Sequence, residues 1–365
     1  MDRDASGWKA VREQGMTTTA TRDRDAASNY RSEFMEQPQR LKELFSAYGT
    51  DLGIREELRR LVAAISNTGP VVWTGMGASF CSALAASTLL SVSGWPSFAV
   101  ESSEFLHYAA ATWSRLGGLI LISTSGESAE LVSLAKLDSS QRKILLCNND
   151  QSPCWSAAEI RLPIRAGIER ANATKTYTNS TAACAITASE LVGQAWQSAA
   201  AKAADAFSSS LQTVLDERQA IEKFARNAVT IEIIGRGAAL GGARYGALCL
   251  REMTQRRASA HSGGGFRHGP LLDVDSSHLA IILALGRTGE LGDRLAKDCL
   301  AKKGRVVLAT DDDLPRPEER LLPVKIDKVP EGWEGLTAAL VPQALTMAHI
   351  ERHGSQYVRV QTIAE

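Results

Sequence analysis

Four hydroxyls lie within six residues at Ser123-Thr124-Ser125-Gly126-Glu127-Ser128, directly after the apolar run GGLILI. Backbone N–H groups where a strand gives way to a helix hold anions, and neighbouring hydroxyls add donors. Helix capping needs only one Ser or Thr. Four of them, with Gly126 permitting close approach, point to a phosphate monoester. A second motif, Gly75-Met76-Gly77-Ala78-Ser79-Phe80, follows the apolar PVVWT. Its Gly-x-Gly also suggests a dinucleotide fingerprint, but Phe80 replaces the third glycine, and only the spacing of Glu101 and Glu104 fits. The motif is read as a tight turn that also supplies Ser79 to the same ligand. A third motif pairs Glu252, in the helical stretch GALCLREMTQ, with His268, sixteen residues on in SAHSGGGFRHGP. A carboxylate and an imidazole facing one small substrate make a general base and a general acid. Gly263, Gly264 and Gly265 are expected to let the chain leave the Glu252 helix and turn. His261 is read as an ordinary fold histidine.

These residues need elements to position them. From residue 30 to 62 apolar residues recur at helical spacing, and a second helix is expected over about 52–66. PVVWTG then leads into an alanine-rich helix, and GGLILIS, KILLC and EIRLPI read as further strands separated by helices. AVTIEIIG, HLAIILAL, VVLAT and LLPVKI repeat the pattern, which implies parallel sheets covered on both faces. Gly75 and Gly77 map onto Gly235 and Gly237 at an offset of 160 residues, so the chain reads as a tandem duplication. The expected fold class is α/β, two tandem three-layer αβα units with parallel sheets. Residues 1–30 are expected to be a disordered tail. Residues 31–205 would hold the N-terminal helices and first unit, 206–350 the second unit, and 351–365 a C-terminal tail. The helical stretch at 198–207 links the units without a Pro- or Gly-rich linker, so they are expected to pack as one body.

A chain of 365 residues suits two such domains, and 44% hydrophobic with 22% charged residues is a globular balance. Lys+Arg and Asp+Glu both total 41, which leaves no net basic field to attract nucleic acid or an anionic membrane surface. Arg256 and Arg257 are read as a solvated helix end. No apolar run is long enough to span a membrane, and MDRDASGWKAVREQG lacks the core of a signal peptide. A cytoplasmic location is expected. The six cysteines form no C-x-x-C pair and have no histidine at zinc spacing, so buried thiols, with no metal and no cofactor, are expected.

Two strand-GxG-helix halves, STSGES after a strand, EQP at 36–38 and E-x15-H-G-P together resemble the SIS (sugar isomerase) family. The likeness is to the isomerase half of glucosamine-6-phosphate synthase and to stand-alone phosphosugar isomerases, deaminases and deglycases. It covers about residues 30–350. It implies flavodoxin-like units related by a pseudo-two-fold. It also implies a phosphosugar held by Ser79, Ser123, Thr124, Ser125 and Ser128, with Gly77 and Ala173. Glu252 falls on the carboxylate that moves a proton between C1 and C2. His268 falls on the ring-opening histidine, supplied across a homodimer interface. The stretch 167–180 resembles the loop that closes over the sugar, with Ala173, Thr174 and Lys175 matching its end; Lys175 is given no catalytic role. There are departures. No glutaminase domain is expected ahead of the unit. The end, YVRVQTIAE, carries Arg359 where the synthase has an imine-forming lysine, and a guanidinium cannot play that part. Tyr245 and Cys249 stand where the synthase has Glu and Lys. The implied activity is that of an isomerising deaminase or deglycase acting on an amino-sugar or fructosamine 6-phosphate. The alternatives are a plain aldose–ketose isomerase and a non-catalytic sugar-phosphate sensor.

Overall fold

The apolar runs become two parallel five-stranded sheets in the computed structural model, which describes residues 25–66, 68–137 and 142–357. The first sheet contains β1 (Val71–Gly75), β2 (Ser97–Glu101), β3 (Gly118–Ser123), β4 (Ile144–Cys147) and β5 (Ile160–Pro163), in the order β2-β1-β3-β4-β5. The second contains β6 (Thr230–Gly235), β7 (Ala258–Ser262), β8 (His278–Ala284), β9 (Arg305–Thr310) and β10 (Leu321–Lys325), in the order β10-β9-β8-β6-β7. The two orders are the same when each sheet is numbered from its own first strand, so the duplication read from the glycines is a duplication of topology. Eight of these strands follow the expected apolar runs. The other two, β2 and β7, are corresponding edge strands with only one buried residue each, which is why no apolar run announced them.

The longer helices are α1 (Ala26–Thr50), α2 (Leu52–Ala64), α3 (Gly77–Val92), α4 (Ala129–Lys136), α5 (Lys175–Leu191), α6 (Gln197–Ala225), α7 (Ala238–Thr254), α8 (Gly289–Ala301) and α9 (Leu340–His353). Helix α1 begins inside the segment expected to be a tail, and α9 continues three residues into the other. The expected boundary at 205 falls within α6, a single helix shared by the two units. Residues 1–24 and Arg359 lie outside the described residues. Pro38 sits inside α1 and cannot donate to the Phe34 carbonyl; the Gln37 side chain donates to it instead, at 3.1 Å.

Successive strand residues point to opposite faces, and each face has its own core. Val71, Trp73, Ile120 and Ile122 share an inner core with Ile231, Ile233, Ile281 and Val307 of the second sheet. Val72, Leu119 and Leu121 meet Leu131 and Leu134 of α4 on the outer face of the first sheet. Ile234, Ile282 and Leu308 meet Leu295 and Cys299 of α8 on the outer face of the second. The two units therefore share their inner helical layer. All six cysteines are buried and unpaired.

Helices α3 and α7 run antiparallel through that shared layer. A Cβ at Gly77 would face Leu248 at 3.8 Å, and one at Gly237 would face Thr88 at 3.4 Å. The offset of 160 that relates Gly77 to Gly237 also relates Thr88 to Leu248, so a pseudo-two-fold passes between the helices. Nearest that axis, a Cβ at Gly241 would lie 2.4 Å from the Cys81 carbonyl oxygen. Backbone cannot yield as a side-chain end can. Gly241→Ala is therefore expected to destabilise the protein by about 1–3 kcal/mol, read as a lower urea midpoint. Gly264→Ala, where nothing lies closer than 4.0 Å, is the control and should shift stability by less than about 0.5 kcal/mol. Equal midpoints for the two variants would show that the helices have room at Gly241.

Candidate active site

In the first sheet β1 and β3 are neighbours, yet α3 enters the inner core and α4 the outer one. Adjacent parallel strands whose helices depart to opposite faces leave a crevice at their carboxyl ends. Gly75 ends β1 and Ser123 ends β3, so the two motifs line one crevice. Gly75 is confined there: a Cβ would lie 2.9 Å from Ser79 and 3.0 Å from the Ile122 carbonyl. Gly126 has φ +68° and a Cβ position 2.0 Å from Ser152 Oγ, so only glycine fits the turn.

Two of the hydroxyls shape that turn. Ser123 Oγ accepts from the Gly126 N–H at 2.9 Å, and Ser125 Oγ accepts from the Glu127 N–H at 3.2 Å. Each keeps its own O–H to donate. Ser128 precedes α4, but its side chain makes no cap hydrogen bond, and the Thr124 hydroxyl has no partner among the described residues. Simple capping therefore leaves these two hydroxyls unused. Ser79 is buried in the first turn of α3, with Gly77 exposed ahead of it.

Leu248 of α7 faces Gly77 at the start of α3, and Glu252 lies one helical turn further along α7. Glu252 keeps a solvent-facing side. The protein around its carboxyl pushes its pKa above the ordinary value, while a hydrogen bond donated by Asn172 Nδ2 pulls it back. Asn172 is only 3% exposed, and its Oδ1 is buried without a partner. Three carboxylates hold the loop that carries Asn172 and the half-buried Ala173. Glu169 accepts from the Thr174 N–H at 2.8 Å and from the Thr176 hydroxyl, and burial raises its pKa to about 7. Glu33 of α1 accepts from the N–H groups of Arg170 and Ala171. Lys175 is buried and pairs with Glu36 at 2.6 Å, which makes it a strut. Asn172, Glu169 and Glu33 were not sequence candidates. The signal available was an acid, Glu169, and an amide, Asn172, three residues apart in GIERANAT.

Tyr245 and Cys249 lie on the same face of α7 as Glu252, deeper in the protein. Tyr245 stacks on Tyr177 at 3.9 Å and accepts from Gln343 Nε2 at 3.0 Å. Cys249 contacts the Tyr30 hydroxyl at 3.3 Å, and burial raises its pKa to about 11. Both stay neutral near pH 7, so the floor beneath Glu252 is uncharged.

His268 is placed differently from the expectation. Strand β7 separates the three glycines from α7, and Gly263, Gly264 and Gly265 form the first turn of a short helix, Gly263–Arg267, capped by Ser262 Oγ. They do not release the chain from the Glu252 helix. Gly263 allows close approach of another kind, with Arg236 Nε 2.5 Å from its Cβ position. The positive φ falls later, +149° at Gly269. His268 caps the short helix with its ring exposed, and no hydrogen bond or ion pair joins it to Glu252 within the chain. His261 pairs with Glu232 at 2.8 Å, in keeping with a fold role.

The corresponding crevice of the second sheet, between β6 and β8, is equipped otherwise. The offset of 160 maps Glu252 back onto Val92. Ala284-Leu285-Gly286-Arg287-Thr288 replaces the hydroxyl run. The buried Glu334 packs against Gly286, with Oε1 2.4 Å from its Cβ position, and leaves a cavity of about 80 Å³. Among the described residues no helix is long and apolar enough to cross a membrane.

The model of the SIS domain matches residues 64–189 and 225–316. A glutamine–fructose-6-phosphate aminotransferase (isomerizing) of Methanocaldococcus jannaschii is 26% identical over 309 residues, covering 81% of this chain and 27% of that protein. The chain spans 27–54% of the length of such curated relatives. The C-terminal domain of glucosamine-fructose-6-phosphate aminotransferase from Francisella tularensis superposes with a TM-score of 0.77 at 19% identity, covering 91% of this chain and 98% of that one. Glucosamine-6-phosphate deaminase from Thermotoga maritima does so with 0.66 at 20% identity, covering 90% and 96%. At these identities the superpositions speak to the fold.

The Asn172 hydrogen bond favours the ionised form of Glu252, so removing it should raise the Glu252 pKa further. A carbon-13 NMR titration of glutamate carboxyls in Asn172→Ala is expected to move that resonance to a higher midpoint. An unchanged midpoint would show that the contact does not act on the carboxylate.

Proposed function

The chain belongs to the SIS domain family, and on that footing we propose that it is a phosphosugar-processing enzyme, an isomerising deaminase or deglycase. What supports the proposal is the antiparallel packing of α7 on α3, which sets Leu248, one turn before Glu252, against Gly77 beside a crevice whose loop carries four hydroxyls. The phosphate of an amino-sugar or fructosamine 6-phosphate sits among Ser123, Thr124, Ser125 and Ser128, with Ser79 and the backbone at Gly77 closing the other wall. The sugar carbons extend toward Glu252, beneath the Ala173 loop. His268 of a neighbouring subunit protonates the ring oxygen as the ring opens. Glu252 then takes the proton from the carbon beside the carbonyl or imine, and an enediol or enolamine forms. Returning the proton to the adjacent carbon moves the double bond. Water adds to the resulting imine, and ammonia or an amine leaves a hexose 6-phosphate.

Several features support this reading. A carboxyl whose pKa is raised is suited to taking a proton and giving it back near neutral pH. The neutral floor of Tyr245 and Cys249 offers no second charge to compete for that proton. His268 is exposed and has no partner among the described residues, and Leu272 close behind it is 73% exposed, as is fitting for a surface that a second copy covers. Ile168, at the edge of the Asn172 loop, is 74% exposed and offers an apolar surface beside the receiving site.

The test is a panel of phosphorylated amino sugars and fructosamines, assayed together for ammonia, amine and hexose phosphate. Ammonia or amine release in step with hexose phosphate is expected. Ketose formation without release would leave plain isomerisation, and binding by calorimetry without turnover would leave a sensor. Glu252→Gln is expected to lower kcat by roughly 10²–10⁴-fold with little change in KM, and full turnover would overturn the proposal. Mixing Glu252→Gln with His268→Ala subunits should restore part of the activity; no restoration would count against a shared site.

A further inference from the structure

Helices α6 and α9 pack along each other, and Glu222 of α6 is 1% exposed in that seam. A buried carboxylate needs partners for both oxygens. Oε2 accepts from Arg226 at 2.9 Å and lies 3.7 Å from Arg352. Oε1 is buried with no hydrogen-bond partner. Two histidines of α9, His349 and His353, are one turn apart and face it, with their rings 4.5 Å apart. His353 Nε2 is 3.9 Å from Oε1, beyond hydrogen-bonding distance. One nitrogen from each imidazole and one Glu222 oxygen lie within 4.8 Å of one another.

We propose that Glu222, His349 and His353 form a binding site for a divalent first-row transition ion of the zinc type, with water completing the coordination. Two imidazole nitrogens and a carboxylate oxygen are the donor set such ions prefer. The Arg226 hydrogen bond on Oε2 would orient the carboxylate and leave Oε1 to the ion, as an outer-shell partner does. His353 is exposed on the last turn of α9 and can move inward to the roughly 3.4 Å ligand separations that zinc–ligand bonds of about 2.1 Å require. Arg226, Arg352 and Arg256 oppose a further cation, so affinity below that of a closed cysteine site is expected. The H-x3-H pair stands far from every cysteine along the chain, so cysteine spacing gives no sign of it.

The site has a structural consequence. Gly354 turns the chain with φ +77°, and the Gln356 N–H then donates to the Met253 carbonyl at 2.9 Å, next to Glu252. An ion at His349 and His353 would pin the end of α9 from which this return starts.

The experiment titrates Co²⁺ into the full chain, purified metal-free and without a histidine tag, followed by visible absorption, Zn²⁺ competition and thermal unfolding. One equivalent of Co²⁺ should give a ligand-field band that Zn²⁺ removes, and Zn²⁺ should raise Tm. Both effects should be lost in the His349→Ala/His353→Ala double variant and in the exposed single variant His353→Ala, whose folding is checked by its Tm in chelator. No band and no Tm shift in the wild type would overturn the proposal. A band and shift that persist in folded variants would overturn it equally.

Discussion

Helices α3 and α7 approach so closely at Gly241 that a Cβ there would lie 2.4 Å from the Cys81 carbonyl, and the candidate active site depends on that contact. The two helices are the first of each duplicated unit, and they pack antiparallel across a pseudo-two-fold. Antiparallel packing sets the end of one helix beside the start of the other. The C-terminal turn of α7, with Glu252, therefore comes to the N-terminal turn of α3, where Ser79 and the hydroxyl run gather. A sheet order that opens a crevice between β1 and β3 supplies a wall lined by hydroxyls. The neighbouring unit supplies the carboxylate. Neither half holds both.

Symmetry of fold makes the asymmetry of side chains informative. The crevice between β6 and β8 has the same topology and faces the end of α3 as its counterpart faces the end of α7. It meets Val92 where the first meets Glu252, and Glu334 crowds the space beside Gly286. Duplication thus produced two crevices, of which one carries a run of hydroxyls and the other is narrowed by Glu334 to a small cavity. Around the first, buried charge organises the loop. Glu33, Glu169 and the Lys175–Glu36 pair draw the backbone of residues 169–176 against α1. Breaking one partner of such a set would strand the other in a poor solvent. The EQP stretch belongs to this scaffold: Glu36 reaches Lys175, and Gln37 reaches Thr178 and Gln343.

The elements legible in the sequence were those whose burial is continuous. Fully buried strands such as β1, β3 and β4 read as apolar runs, and the glycine pairs revealed the duplication. Edge strands β2 and β7 escaped because most of their residues keep an exposed side. STSGES was legible as a hydroxyl-rich turn after a strand, and the structure places it at the end of β3 beside β1. The glycines before His268 were misplaced: a short helix was hidden where flexibility was expected, since capping by Ser262 does not show in composition. Asn172, Glu169 and Glu222 were invisible for a different reason. Each acts through a partner dozens of residues away or through burial, and neither can be counted along a chain.

The central claim is that a phosphosugar occupies the β1/β3 crevice with its reacting carbons beside Glu252. A crystal structure of the protein soaked with fructose 6-phosphate tests it directly. The phosphate is predicted within hydrogen-bonding distance of the Ser123, Ser125 and Ser128 hydroxyls, with C1 and C2 next to the Glu252 carboxylate. Sugar phosphate bound at the β6/β8 crevice instead, or bound with its phosphate turned toward Glu252, would contradict it.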